Sequence, residues 1–213
     1  MTSMRKAELG FWMNLPPGWL PLDPRSSRIP EQVEQLLERR VAEDPQVAAH
    51  RGQIEQQLRH ALKLARSQDL SFAAILATFT EDGLPIAASL ALTRHRTPDG
   101  VQAHQVLAEL GEQRERTNTL FDIPFIGTAV RSEYLDRTQV ELPAAQGSGA
   151  PAGVGTAEVA VYQYYIGVPN STDLIIATGA TPTLPMREVF AQLFDAIIST
   201  FQFVDEGPDT GGK

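Results

Sequence analysis

The chain of 213 residues contains no cysteine. Disulfide staples, thiolate nucleophiles and cysteine-ligated zinc are excluded at once, so stability has to come from packing. Long hydrophobic runs are missing as well. No window of the sequence approaches the ~18 consecutive apolar residues that a membrane-spanning helix requires. The early apolar patch at residues 11–22 is interrupted by Asn14, Pro16, Pro17 and Gly18. A secretory leader needs an unbroken apolar stretch of about 7–15 residues, so a cytoplasmic location is expected. Positive charge is scarce: 18 Lys and Arg stand against 26 Asp and Glu, for a formal net charge of −8. Nucleic acid as a partner is not expected, because phosphate binding needs clustered basic residues. An anionic membrane surface is disfavoured for the same reason.

Motifs of catalysis are equally sparse. The four histidines, His50, His60, His95 and His104, show no His-x-x-x-His spacing that would aim two imidazoles from one helical face at a metal. No Gly-x-Ser-x-Gly elbow is present, which removes the usual nucleophile of α/β-hydrolases. Residues 147–155 carry the glycines of a phosphate loop but lack its Gly-Lys-Ser/Thr ending, and an alternating strand pattern follows instead of a helix. A flexible loop is the better reading. No metal or other cofactor is implied.

What is present is enough for one folded domain. The hydrophobic fraction is 42% and the charged fraction 21%, values that separate the chain from disordered sequences. Phe11 to Leu15 reads as a short strand that Pro16-Pro17-Gly18 ends, because proline removes ladder donors and glycine permits the turn. Trp19, Leu20 and Leu22 are expected to tuck back onto the core. Ile29, Val33, Leu36, Leu37 and Val41 recur at helical spacing behind Pro30, a residue suited to a first helical turn. Asp44-Pro45 divides this helix from a second one bearing Ile54, Leu58, Ala61, Leu62 and Ala65. Residues 31–67 hold six basic and six acidic side chains, a balanced solvated face rather than the Lys- and Arg-rich face of a membrane-binding helix.

The period then changes. Two apolar runs around Asp82-Gly83 read as a β-hairpin. Residues 101–115 read as a helix. Residues 121–127 read as a connector or short strand, and 129–134 and 138–142 as strands around Asp136-Arg137. Residues 158–167 alternate and are aromatic, which marks a strand. Residues 174–178 are apolar on both faces and so belong at the centre of a sheet. Val189, Phe190, Leu193, Phe194, Ile197 and Ile198 form a wide helical stripe. The expected organisation is a tail at 1–9, one domain at 10–203 with a helical insertion at about 30–67 and a loop at about 143–156, and a tail at 204–213. Hairpin links dominate, so the fold class is α/β in the broad sense (α+β): a largely antiparallel sheet flanked by helices.

Two groups of residues could bind something. Arg94, His95 and Arg96 follow a strand, where arginine can grip a phosphate or carboxylate or simply discourage strand addition at a sheet edge; the edge reading is favoured. Tyr162 and Tyr164 share a strand face and would anchor a partner if exposed, although such a face is more often core.

The two ends also carry a resemblance. Asn14-Leu15-Pro16-Pro17-Gly18-Trp19 resembles the opening of PsbP-like domains, and the segment from Asp173 through Phe203 resembles their closing strand-plus-helix, in which a Phe-Asp-x-Ile-x-x-Ser/Thr-Phe pattern is common. Ile126-Gly127-Thr128-Ala129-Val130-Arg131 is similar to a strand entry of small actinobacterial members. The resemblance implies an α/β/α sandwich and no shared catalytic motif. Its members assist photosystem assembly, bind a nuclear-import GTPase, or act as chaperones for secreted effectors. The leading expectation is thus a non-enzymatic binding protein (adaptor, assembly factor or chaperone) whose partner is another protein. One alternative is a small-molecule or anion site, or a hydrolase, around Arg94, His95, Arg96 and Arg131. The other is an acidic immunity or inhibitor protein.

Overall fold

The computed structural model describes residues 9–24, 29–43, 48, 51–52, 55, 70–80, 85–96, 117–142 and 153–205. Nine strands and two α-helices are formed among them: β1 (Leu9–Trp12), β2 (Trp19–Leu22), α1 (Ile29–Glu43), β3 (Phe72–Phe79), β4 (Pro85–His95), β5 (Thr117–Ile123), β6 (Gly127–Leu142), β7 (Gly153–Gly167), β8 (Leu174–Thr181), α2 (Arg187–Ile198) and β9 (Gln202–Asp205). A single 3-10 turn, Leu184–Met186, leads into α2. Seven strands make one sheet in the order β2-β3-β4-β8-β7-β6-β5, and β1 pairs with β9 in a separate ribbon. Every pairing is antiparallel. The expected helix at 101–115 and most of the second insertion helix lie outside the described residues.

The sheet has a helix on each face, because each face is apolar for its own reason. On the first face, Leu90, Leu92, Ala177, Tyr162, Tyr164 and Ile166 pack with Phe190, Phe194, Ile197 and Ile198 of α2 in one core cluster. Those four helical residues are the buried ones of α2, and their spacing follows the 3.6-residue period. On the second face, Val33 and Leu37 of α1 pack with Leu20, Leu22, Leu70 and Ala73. Where both faces are covered the residues alternate along one strand, Trp19 against Leu20 on β2, Ala74 against Ala73 on β3 and Leu90 against Ala91 on β4, as a period of two requires.

Gly179 decides how closely α2 approaches. It lies in β8, the fourth strand of seven, and the Phe194 ring rests on its backbone. A Cβ built there would meet Cδ1, Cγ and Cδ2 of Phe194 at 2.6, 2.7 and 2.8 Å. The glycine is thus the floor of a slot that the ring fills.

The two ends of the described chain meet. Leu9 pairs with Asp205 and Trp12 with Gln202. Phe11 stacks on Phe201 at 5.7 Å and meets Phe72 edge-on at 6.0 Å. The Asn14 N–H donates to Thr200 Oγ1 at 2.9 Å, and Trp19 packs edge-on against Phe194 at 6.1 Å. Leu9, Val204 and Asp205, which the sequence places in or beside tails, therefore belong to paired strands. Residues 153–156, read as loop, pair with 139–142. Trp19–Leu22 is a strand in its own right. β6 also runs unbroken through Asp136-Arg137, which stay in register with Val159 and Glu158 of β7, and Arg137 adds a contact to Glu158 at 3.1 Å.

Candidate functional site

The densest polar cluster of the described residues sits where α2 crosses β6 and β7. Register brings its parts together: Arg131 is the neighbour of Tyr164, and Glu133 the neighbour of Tyr162. Both tyrosines are fully buried, and a buried phenol needs a partner for its hydroxyl. Each finds one on the helix. Tyr164 Oη donates to Asp195 Oδ1 at 2.5 Å, and Tyr162 Oη donates to the Arg187 carbonyl at 2.6 Å. The two rings therefore bolt α2 to the sheet at both of its ends.

Arg131 completes the cluster. Its Nε lies 2.9 Å from Asp195 Oδ1 and an Nη lies 3.3 Å from Glu133 Oε2. The Nε–H is not aligned for a hydrogen bond, so that contact is an ion pair. The guanidinium carbon also stands 5.4 Å from the centre of the Tyr162 ring, a cation–π distance. Burial opposes the charge on Arg131, but hydrogen bonding to Tyr164 and the carboxylates of Asp195 and Glu133 outweigh it and raise the pKa. Burial pushes the Tyr162 phenol up to about 12, with the Glu133 charge adding to it. Burial, then the hydrogen bond to Asp195, raises Tyr164 as well.

Chemically this arrangement is closed. Tyr164 is held neutral and donates to the carboxylate, whereas a nucleophile or general base needs a pKa near the working pH. The Arg131 cation is opposed by two anions, Asp195 and Glu133. Among the described residues no group of His, Asp and Glu could hold a metal ion.

The remaining candidates lie elsewhere. Arg94 and Arg131 are separated by three strand spacings, from β4 across β8 and β7 to β6, or about 14 Å. Arg94 contacts Asp173 instead, through Nε at 3.0 Å and an Nη at 2.9 Å. His95 and Arg96 are exposed at the end of β4, with side chains alternating in direction. The structure brings Arg131, Tyr162 and Tyr164 together and leaves Arg94, His95 and Arg96 apart from them. Tyr162 and Tyr164, buried beneath α2, follow the core reading of their strand face. Asp195 is the member that sequence reasoning missed as a site residue. It stands within the closing motif, but its partner lies 31 positions away, and nothing local announces that contact.

A second feature is open to solvent. The β5–β6 hairpin turns through Pro124 and Phe125, closed by the Ile126 N–H donating to the Ile123 carbonyl at 3.1 Å. Phe125 has φ 71°. That left-handed value suits the third position of a type II turn, where glycine is the usual occupant. The ring is 91% exposed, and Leu120 on the neighbouring strand is 80% exposed. A bulky residue held at positive φ and left in water gains nothing from burial, so its presence asks for a reason outside the fold.

The fold defines an α+β protein, an antiparallel sheet sandwiched between helices. No family model matches the chain and no curated protein matches it. Among solved structures it is similar to LpqN of Mycobacterium tuberculosis, a protein involved in cell envelope biogenesis, with TM-score 0.44 and 10% identity over 95% of this chain and 87% of that one. It is also similar to a protein from Bacteroides thetaiotaomicron VPI-5482, with TM-score 0.34 and 12% identity over 64% of this chain and 46% of that one.

Proposed function

We propose that the chain is a non-enzymatic, cytoplasmic binding protein of PsbP-like architecture that grips another protein through the β5–β6 turn. The observation that carries this reading is Phe125: an aromatic ring 91% exposed on a backbone at φ 71°. Aromatic side chains seated in a partner's pocket are typical binding anchors. The neighbouring Asp122 is exposed and the whole chain carries −8, so the fitting partner has an apolar pocket with a basic rim. The PsbP-like element of the proposal draws support from the meeting of the two end motifs, Asn14 with Thr200 and Trp19 with Phe194. The internal neutralisation of Arg131 by Asp195 and Glu133 argues against the anion-site alternative.

The test is affinity capture from the native host with wild type and Phe125→Gly in parallel, followed by binding of the purified pair. A partner held by wild type and lost by the variant supports the reading. Equal recovery by both refutes it, as does no recovery together with turnover of a compound in a metabolite panel. Glycine accepts the positive φ, so the variant keeps the fold and the comparison stays interpretable.

A further inference from the structure

The end of the sheet that carries Phe125 carries a second exposed feature. His95 and Arg96 close β4, which lies four strand spacings from β5. Register puts the two places level. Asp122 pairs with Thr128, and the pairing that sets Val130 against Tyr165 brings Thr128 level with Gly167. Gly167 pairs with Leu174, and Leu174 with His95. Neighbouring strands are about 4.8 Å apart. Phe125, in the turn between β5 and β6, and Arg96 therefore stand about 17 Å apart along one rim.

The basic residues at the end of β4 are not equivalent. Arg94 is neutralised by Asp173, which it meets through Nε at 3.0 Å and an Nη at 2.9 Å. His95 and Arg96 are exposed, and among the described residues neither has a hydrogen-bond or ion-pair partner. Guarding an outer sheet edge is not their task, because β4 is the third strand of seven and lies between β3 and β8. In a chain with 26 acidic residues against 18 lysines and arginines, an exposed arginine with no acid beside it is a cation kept available. The β7–β8 turn separates it from Phe125. The exposed residues of that turn, Pro169, Asn170 and Thr172, are uncharged, and its carboxylate, Asp173, already holds Arg94.

We propose that Phe125 and Arg96 are the two ends of one docking surface, and that the partner protein presents an apolar pocket and, about 17 Å from it, an acidic side chain. The proposal rests on the reading of Phe125 as an anchor and adds the partner's charge pattern to it. A standard interface covers about 800 Å² on each partner, a patch roughly 30 Å wide, so both contacts fit within one. Asp122, exposed beside Phe125, calls for a basic group at the pocket, and Arg96 calls for an acid at the far end. A partner turned end for end along the rim would set like charges together at both places, which costs affinity. The aromatic ring holds the partner, and the two charges fix its direction.

The test uses the full chain carrying the photo-cross-linker p-benzoylphenylalanine at position 125, 96 or 136, irradiated in lysate of the native host. Asp136 is exposed and lies about 27 Å along β6 from Thr128, away from the rim. Positions 125 and 96 are expected to label the same polypeptide, and position 136 is expected to leave it unlabelled. With that polypeptide purified, Arg96→Glu is expected to weaken its binding about tenfold at low salt, and the loss is expected to shrink as salt is raised. Arg96→Lys is expected to bind nearly as the wild type does, and neither variant to change the melting point. Labelling from 125 without 96, or undiminished binding by Arg96→Glu, overturns the two-point surface and leaves the Phe125 anchor standing. Labelling from 96 without 125, or from neither, overturns both. Equal labelling from all three positions also overturns the proposal, because the contact is then not confined to the rim.

Discussion

Replacing Gly179 with alanine sets two known effects against each other. In a strand whose backbone suits any residue, alanine stabilises by about 0.4–1 kcal/mol, because glycine loses more chain entropy on folding. At Gly179 the new methyl would stand 2.6–2.8 Å from three carbons of the Phe194 ring, well inside van der Waals contact. Phe194 has no room to retreat: it is fully buried, with Trp19, Tyr162 and Phe190 rings centred 6.1, 5.5 and 6.1 Å away. Relief has to come from lifting α2, which strains the Tyr162 and Tyr164 hydrogen bonds to that helix. Overpacking of this kind costs about 1–3 kcal/mol, more than the entropy gain returns. The expected net loss is about 1–2 kcal/mol, read as a lower urea midpoint at unchanged slope and a melting point lower by about 2–8 °C for a chain of this size. The companion is Phe194→Leu, which makes room for the methyl. The double variant should be more stable than the sum of the single changes predicts, by at least about 0.5 kcal/mol. A Gly179→Ala protein as stable as wild type or more so, or strictly additive effects in the double variant, would refute the slot.

Other expectations follow from the clamp and its surroundings. Asp195→Asn should destabilise by about 1–3 kcal/mol in urea titration; this is below the loss from a fully buried pair because the Asp195 side chain is 34% exposed. Tyrosines whose folded pKa is raised contribute stability that is complete below their unfolded value near 10 and is lost as pH rises through the folded one. Stability should therefore fall between pH 10 and about 12, where Tyr162 titrates in the folded state, and Tyr162→Phe should flatten that fall while costing about 1 kcal/mol at neutral pH for its lost hydrogen bond. Ser132 is buried with no partner for its Oγ among the described residues, so Ser132→Ala should raise stability by up to about 1 kcal/mol in the same assay.

Much of the scaffold is legible because its signals are local. Val33 and Leu37 sit one helical turn apart and both reach the core under α1. The two-sided apolar run of β8 marks a central strand, and it is the fourth of seven. β9 is illegible for the opposite reason. Gln-Phe-Val-Asp is four residues long, too short for a period to emerge, and it becomes a strand only because β1 offers the pairing groups. Asp136-Arg137 reads as a break between two strands, yet in the β6–β7 hairpin both side chains face water, Asp136 Oδ1 accepts from the Arg137 N–H and only Arg137 pairs across to Glu158. Within the site, Arg131, Tyr162 and Tyr164 draw notice by their residue type, while Asp195 looks like any polar residue on a helix. Its part is set by the crossing of α2 over β6, which sequence spacing does not encode. Phe125 is hidden in a different way: residues 121–127 read as a connector or short strand, and only the dihedral angle at Phe125 shows an aromatic ring where a turn would take glycine.

The pairing of β1 with β9 has a consequence in time. A ribosome delivers β1 first and β9 last, so Phe11 has no ribbon partner until Phe203, opposite it in the register, has emerged. A contact between such distant positions closes late, after shorter-range hairpins have formed. The ribbon is then a latch that fastens once the sheet behind it exists. A chain halted before Gln202 would carry the sheet and α2 with the latch open and the pairing edge of β1 unfilled, which is the state on which a chaperone or a protease would act.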